Sequence, residues 1–258
     1  MAFKRKFSRQ SSYKKSRRGK FSRKGRPQTF KARVKKVILK EAETKYITIG
    51  NEDTQLYHDV GNTAGPSTNQ SAILFDPWSY VSQGTTYKTR VGDILNPSGI
   101  SIKLWMANKQ DRPNIIYRII VVVLARQING TVPTYNNVDL FKGTDVGTNN
   151  TTIIAEFDKD KVKKVLYDKL VRNEGIAQSS TGSALFPSAN FRGRERHCVK
   201  SLWIKAKNQR RIVYNAGTNV HQNNFMALYV IPYDSYSTLQ TDNVATVGMF
   251  TKLYWKDL

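Results

Sequence analysis

The 258-residue sequence predicts an all-β body carried behind a long basic arm. Three observations predict it. Beyond the arm, the apolar residues are mostly β-branched or aromatic and come in short runs broken by Gly, Pro, Asn, Asp, Ser and Thr, the composition of strands and turns. The stretch Ile100-Ser-Ile-Lys-Leu-Trp-Met106 alternates apolar and polar, as a half-buried strand does. The third is the distribution of charge. The first 36 residues hold 16 Lys or Arg and no acid, and the first carboxylate is Glu41.

Residues 1–40 carry 17 Lys or Arg and no acid, so +17 of the total +23. Residues 41–258 carry 25 basic residues against 19 acids, a net +6. Like charges in a block repel and keep a chain extended. Residues 1–33 contain no Val, Ile or Leu, so burial has little to set against the entropy of ordering them. Residues 1–40 are therefore expected to be a disordered nucleic-acid-binding arm, and residues 41–258 one β domain.

Within the body, strands are expected at Lys45–Ile49, Gln55–Val60, Ile100–Met106, Tyr117–Arg126 and Ile153–Phe157, then at Val199–Ala206, Arg211–Tyr214, Asn224–Ile231 and Gly248–Trp255. Tyr117–Ala125 is apolar on both faces, which suits a central strand covered twice. The polar segments 61–71, 129–137, 143–152 and 173–195 read as long loops, a length that in compact domains goes with function or mobility. In 161–174, Val162, Val165, Leu166 and Leu170 recur at helical spacing, while Val165, Tyr167, Lys169 and Val171 alternate as a strand. Periodicity puts helix slightly ahead there and leaves both readings open.

Enzyme chemistry is not expected. His58, His197 and His221 are far apart, and the one cysteine, Cys198, cannot complete a zinc site built of short Cys/His pairs. His197 and Cys198 are neighbours in an expected strand, where they point to opposite faces and form no dyad. The phosphate-cradling motifs G-x-x-x-x-G-K-[ST] and G-x-G-x-x-G are missing. Asp139, Asp145, Glu156, Asp158 and Asp160 cluster loosely; a solvated acidic loop or a set of ion-pair partners is favoured over an oxygen-ligated divalent ion. No cofactor and no metal is expected. No stretch approaches the roughly 20 apolar residues of a membrane span. The N-terminus lacks a secretory h-region, and Gly and Pro interrupt the amphipathic helix of a mitochondrial transit peptide. With one cysteine, this points to synthesis in the cytosol.

The arm is suited to neutralising phosphates, each contact releasing counterions. The basic residues assigned to this role are Lys4, Arg5, Lys6, Arg9, Lys14, Lys15, Arg17, Arg18, Lys20, Arg23, Lys24, Arg26, Lys31, Arg33, Lys35 and Lys36. Phe3, Phe7, Tyr13, Phe21 and Phe30 are interleaved with them and can stack on unpaired bases. Both interactions tolerate any base sequence. Lys14, Lys15, Arg17 and Arg18 also form a nuclear-localisation cluster, which brings host import factors in as partners. A solubilising tail is the plainer alternative.

The order of motifs resembles the capsid proteins of small circular single-stranded DNA viruses, the group that includes circoviruses and geminiviruses. It is carried by "EAETKYITIGN" (41–51) directly after the arm, by "WSYVSQGTTYKTRVGDILNPSGISIKLWM" (78–106), and by "RIIVVVLARQ" (118–127) followed by "VDLFKG" (138–143). The basic segment 161–172 and the strands "VKSLWIKAK", "NFMALYVIP" and "VGMFTKLYWKD" complete it. The arm departs from the nearly pure Arg of circoviruses. The resemblance implies a single antiparallel jelly-roll sandwich of eight main strands, with 161–172 as a strand. It also implies self-assembly into a T=1 icosahedral shell around single-stranded genomic DNA, with DNA favoured over RNA on the resemblance alone. The location implied is the virion, and the host nucleus during assembly. A shell of about 60 copies, each with an arm of +17, brings about 1,000 positive charges to a genome with one negative charge per nucleotide. The alternative is a cellular nucleic-acid-binding protein, ribosomal or chromatin-associated, with a β domain and a basic tail.

Overall fold

The computed structural model describes residues 29–59, 72–109, 112, 114–125, 140–142, 153–174, 197–205, 208–209, 211–234, 239 and 241–257. The chain divides between Val37 and Ile38. Helix α1 runs Phe30–Glu41, which corrects the expectation that the arm is disordered to residue 40. Its sequence, FKARVKKVILKE, holds four Lys with one Arg, one Leu and one Ala, which lose little side-chain freedom in a helix. The Gly and Pro residues that argue against a helix, Gly25 and Pro27, lie upstream of it. The Arg33 N–H donates to the Thr29 carbonyl at 3.1 Å and the Ala42 N–H to Ile38 at 2.9 Å.

Among the described residues nine strands follow: β1 (Thr44–Tyr57), β2 (Leu74–Phe75), β3 (Ile94–Asn108), β4 (Asn114–Leu124), β5 (Val162–Glu174), β6 (His197–Lys205), β7 (Ile212–Val213), β8 (Met226–Asp234) and β9 (Asn243–Asp257). They form two antiparallel sheets. The first has the order β1-β9-β3-β6, with β7 also paired to β3; the second is β2-β8-β4-β5. The body is an all-β sandwich. Its first and last strands pair along nearly their whole length, from Thr44 opposite Lys256 to Tyr57 opposite Asn243. The expected strand 45–49 and residues 55–57 of the expected strand 55–60 are parts of β1, joined across an irregularity between Asn51 and Thr54; residues 58–59 form a turn instead, and residue 60 lies outside the described residues.

Three corrections to the predicted strands have physical reasons. First, 161–172 is strand and not helix, as the resemblance implies. The second sheet's β4 needs a partner for its backbone groups, and β5 supplies it, from Asn114 opposite Glu174 to Leu124 opposite Val162. The register slips between Val121 and Val122, and again between Val123 and Leu124. Each slip adds a residue and resets the two-residue alternation, so Leu166 and Tyr167 both pack against the core although adjacent. That imitates helical spacing. Second, 153–157 is no strand; it covers the second sheet from outside and bridges only Phe141 to Phe157. Third, β2 and the 3-10 turn Pro77–Tyr80 were not foreseen. Asp76 enters that turn in left-handed conformation, φ 45°, which Asp tolerates better than bulkier residues.

The main core lies between the sheets. It takes Ile100, Ile102, Leu104, Leu253 and Trp255 from the first and Ile115, Tyr117, Ile119, Leu228 and Val230 from the second. A second core lies on the far side of the second sheet, where Leu140, Phe141 and Phe157 cover Ile120, Val122, Tyr229 and Ile231. Strand β4 is thus buried on both faces, as its uninterrupted apolar run predicts. Among the described residues, the first sheet is covered on one face only.

Two arginines are locked into this frame. Arg90 is fully buried. It donates to the carbonyls of Gly92 and Thr218, both at 2.6 Å, and to Asp93 at 3.1 Å, and its guanidinium lies 4.0 Å from the Tyr214 ring centroid. Arg118 donates to both Asp168 oxygens, at 3.0 and 2.8 Å, and sits over the Phe141 and Phe157 rings. Asp76 pairs with buried His221, which stacks on Phe225.

Two predictions follow from these buried groups. Arg90→Met leaves the Gly92 and Thr218 carbonyls without their charged donor. It should destabilise the domain by about 2–4 kcal/mol, read from denaturant unfolding. The second concerns alkaline pH. Tyr117 donates to Asn108 and Tyr214 to the Trp78 carbonyl, both at 2.7 Å, and burial pushes both hydroxyls well above the usual tyrosine range. The folded chain keeps these protons where the unfolded chain loses them, near pH 10. Their contribution is full below about pH 10 and then falls by about 1.4 kcal/mol per pH unit per tyrosine until the folded groups ionise. Tyr117→Phe or Tyr214→Phe should flatten that slope; an unchanged slope in both would contradict it.

Candidate nucleic-acid interface

Of the residues assigned to phosphate and base contacts, Phe3 through Arg26, including the nuclear-localisation cluster, lie outside the described residues. Phe30, Lys31, Arg33, Lys35 and Lys36 fall in α1. Phe30 is 83% exposed, and Arg33 is exposed as well. Val34, Val37 and Ile38 are exposed too. With Phe30 they recur at the spacing of one helical face. The helix has no acid in its first turn, so no carboxylate there offsets the basic charge, to which the positive end of the helix dipole adds.

The second candidate surface lies on the body and was not read from the sequence. Alternation in the first sheet sends Met249, Thr251, Leu253 and Trp255 of β9 inward, which leaves Phe250, Lys252, Tyr254 and Lys256 on the open face. Strand β3 likewise puts Ser101, Lys103 and Trp105 outward, and β6 puts His197, Val199, Ser201, Trp203 and Lys205 outward. Strand β1 adds Tyr46 and Thr48. The register brings these side chains side by side: Tyr46 faces Tyr254, Thr48 faces Lys252, and Ser101 sits between Lys252 and Trp203.

A line of aromatic rings crosses the strands. Tyr87 lies 5.8 Å from Tyr46, Tyr46 lies 6.2 Å from Tyr254, and Tyr254 lies 5.7 Å from Trp203, with ring planes tilted by 52°, 41° and 52°. The line passes over β3 at Gly99. A Cβ built there would collide with Trp203 Cζ2, so the absence of a side chain at Gly99 is what lets the indole reach across the sheet. Trp105 lies next to Gly248 at ordinary contact distance, its Cε3 3.6 Å from where a Cβ would be. Lys252 Nζ sits 5.8 Å from the Tyr46 centroid and 5.6 Å from that of Phe250. The outward positions of the four long strands named above carry four lysines, 103, 205, 252 and 256, and no carboxylate. Glu52 and Asp53 belong to the irregular part of β1 past Gly50. The signal for this surface is in "FTKLYWK", where aromatic and basic residues share one parity, but parity alone does not say which face is open.

The remaining candidates are placed as follows. Cys198 packs against the core while His197 is exposed beside Trp105, on the opposite faces expected of strand neighbours. His58 accepts the Asp234 N–H at 3.0 Å. Of the acidic cluster, Asp139 and Asp145 lie outside the described residues. Asp158 accepts the Asp160 N–H at 2.9 Å and pairs with Lys161 at 4.0 Å. Among the described residues no three His, Cys, Asp or Glu side chains converge, and no helix is long and apolar enough to cross a membrane.

No family model matches the chain, and no curated protein matches its sequence.

Gly99→Ala tests the geometry of the aromatic line. The methyl should swing Trp203 off Tyr254, shift the tryptophan emission and destabilise the domain by about 1–2 kcal/mol, as overpacking does. An unaltered emission spectrum would show that Trp203 does not lie over Gly99.

Proposed function

We propose that the chain is a viral capsid protein of the small circular single-stranded DNA virus type. In this reading the β sandwich is a jelly roll that assembles into a T=1 shell, and the arm packages the genome. The observation that carries it is the segregation of charge, +17 on residues 1–40 against +6 on the rest. A polyanion partner for one end of the chain fits this; an evenly basic body would not need it.

Strand order supports the same reading. Setting aside the short β7, each sheet has four strands, ordered β1-β9-β3-β6 and β2-β8-β4-β5. Eight strands in two sheets, with every connection between them except β4 to β5 passing from one sheet to the other, is what a jelly roll built from two Greek keys would have. Stacking the two sheets also limits edge exposure, useful for a domain that must meet copies of itself only at chosen surfaces. The arm would face inward to the genome, and the basic cluster Lys14, Lys15, Arg17 and Arg18 would direct nuclear import before assembly.

Purified protein should elute as megadalton particles that appear as closed shells by negative-stain electron microscopy. A monomer that persists at high concentration with nucleic acid present would favour the cellular nucleic-acid-binding reading and end the capsid one. Deleting residues 1–36 should abolish nucleic-acid packaging yet preserve cooperative melting, because Leu56 is the first buried hydrophobic among the described residues. Loss of that cooperative transition would contradict the division of roles.

A further inference from the structure

We infer that the open face of the first sheet is a second nucleic-acid site, one that stacks unpaired bases on its aromatic line. The inference rests on the polyanion-partner reading above but places a specific contact on the body. Tyr46, Tyr87 and Trp203 are 40%, 52% and 53% exposed. Together with Tyr254 they form a continuous aromatic track on a face that also presents Phe250, Trp105 and Val199 among Lys, Ser and Thr. Contiguous exposed aromatics on a monomer mark a binding surface. Their mutual tilts of 41–52° mean that the rings do not satisfy one another by parallel stacking, so flat faces stay available.

Charge selects the occupant. Lys103, Lys205 and Lys252 stand beside the track with no carboxylate among the outward positions of the same strands. A phosphodiester backbone complements that pattern. A second copy presenting the same face would set lysine against lysine, which opposes a symmetric pairing there. Base faces are hidden in a duplex and available in a single strand, so stacking on Trp and Tyr selects single-stranded nucleic acid without reading its sequence. Lysine, a point charge without the planar fork of arginine, fits backbone tracking of this kind.

The protein's own tryptophans report the test. Trp78 and Trp255 are fully buried, while Trp203 and Trp105 are 53% and 41% exposed, and residues 1–40 contain no Trp. Full-length protein is titrated at raised salt with a dye-labelled short oligothymidylate and, separately, with a duplex of equal length. Anisotropy reads binding and tryptophan emission reads contact with the sheet. The single strand should quench the exposed tryptophans, and the duplex should bind with little quenching. The double variant Trp203→Leu, Tyr254→Leu should lose about tenfold in single-strand affinity and less than about twofold in duplex affinity. Trp203→Phe, which keeps an aromatic face, should retain most of the affinity. Photocrosslinking of wild-type protein to an iodouracil-bearing strand should map to 199–205 and 248–257, which keeps the test valid if the double variant misfolds.

Binding without quenching and without those crosslinks would leave the arm's role standing and overturn this site. So would equal quenching by the duplex, or tryptophans already shielded from solvent quenchers in the assembled protein, which would give the face to a neighbouring copy. No binding of either oligonucleotide would overturn both readings.

Discussion

The fold depends on one constraint: the two sheets must bury their facing sides in each other, and among the described residues only the second is buried on its other side as well. Ile100, Ile102, Leu104, Leu253 and Trp255 reach inward from the first sheet to meet Tyr117, Ile119, Leu228 and Val230 of the second. Strand periodicity then dictates the rest. Each inward residue on β3, β6 and β9 is followed by one that faces away. The second sheet spends that other face on a further core under Leu140, Phe141 and Phe157. The first sheet does not, and its outward residues are free to serve something other than stability.

Polar groups follow the same asymmetry. Where charge is enclosed it is held on several sides: Arg90 by two carbonyls, Asp93 and an aromatic ring, Arg118 by Asp168 and two phenylalanines. These guanidiniums tie loops to the frame and have little left to offer a ligand. Lys252 on the open face sits beside the Tyr46 and Phe250 rings. A buried arginine held by carbonyls and a carboxylate and a lysine set beside aromatic rings are different devices, although they add equally to the net charge of +23.

Glycine placement connects packing to the surface. At Gly99 the space a Cβ would fill is taken by the edge of Trp203, whereas at Gly248 Trp105 stands at ordinary contact distance. A side chain at Gly99 would push the Trp203 ring away; one at Gly248 would only touch Trp105. The close approach is a cross-strand matter: Trp203 reaches Gly99 from β6 and Trp105 reaches Gly248 from β3, with strands running antiparallel in fixed register.

Much of this was legible in the chain. Alternation in 100–106 and β-branched runs between turn residues gave the all-β class, and the double-faced apolar run of β4 gave its central position. The absence of acids before Glu41 set the arm apart. Those are local properties, and local periodicity is enough to read them. Tertiary structure alone decided that 162–174 is a strand, since two slips of register against β4 disguise its alternation. It decided that β1 lies beside β9 from the far end of the chain, and that 153–157 covers a sheet without joining it. It also decided which parity of "FTKLYWK" looks outward, because a two-residue period names two faces but only the partner sheet determines which of them is buried.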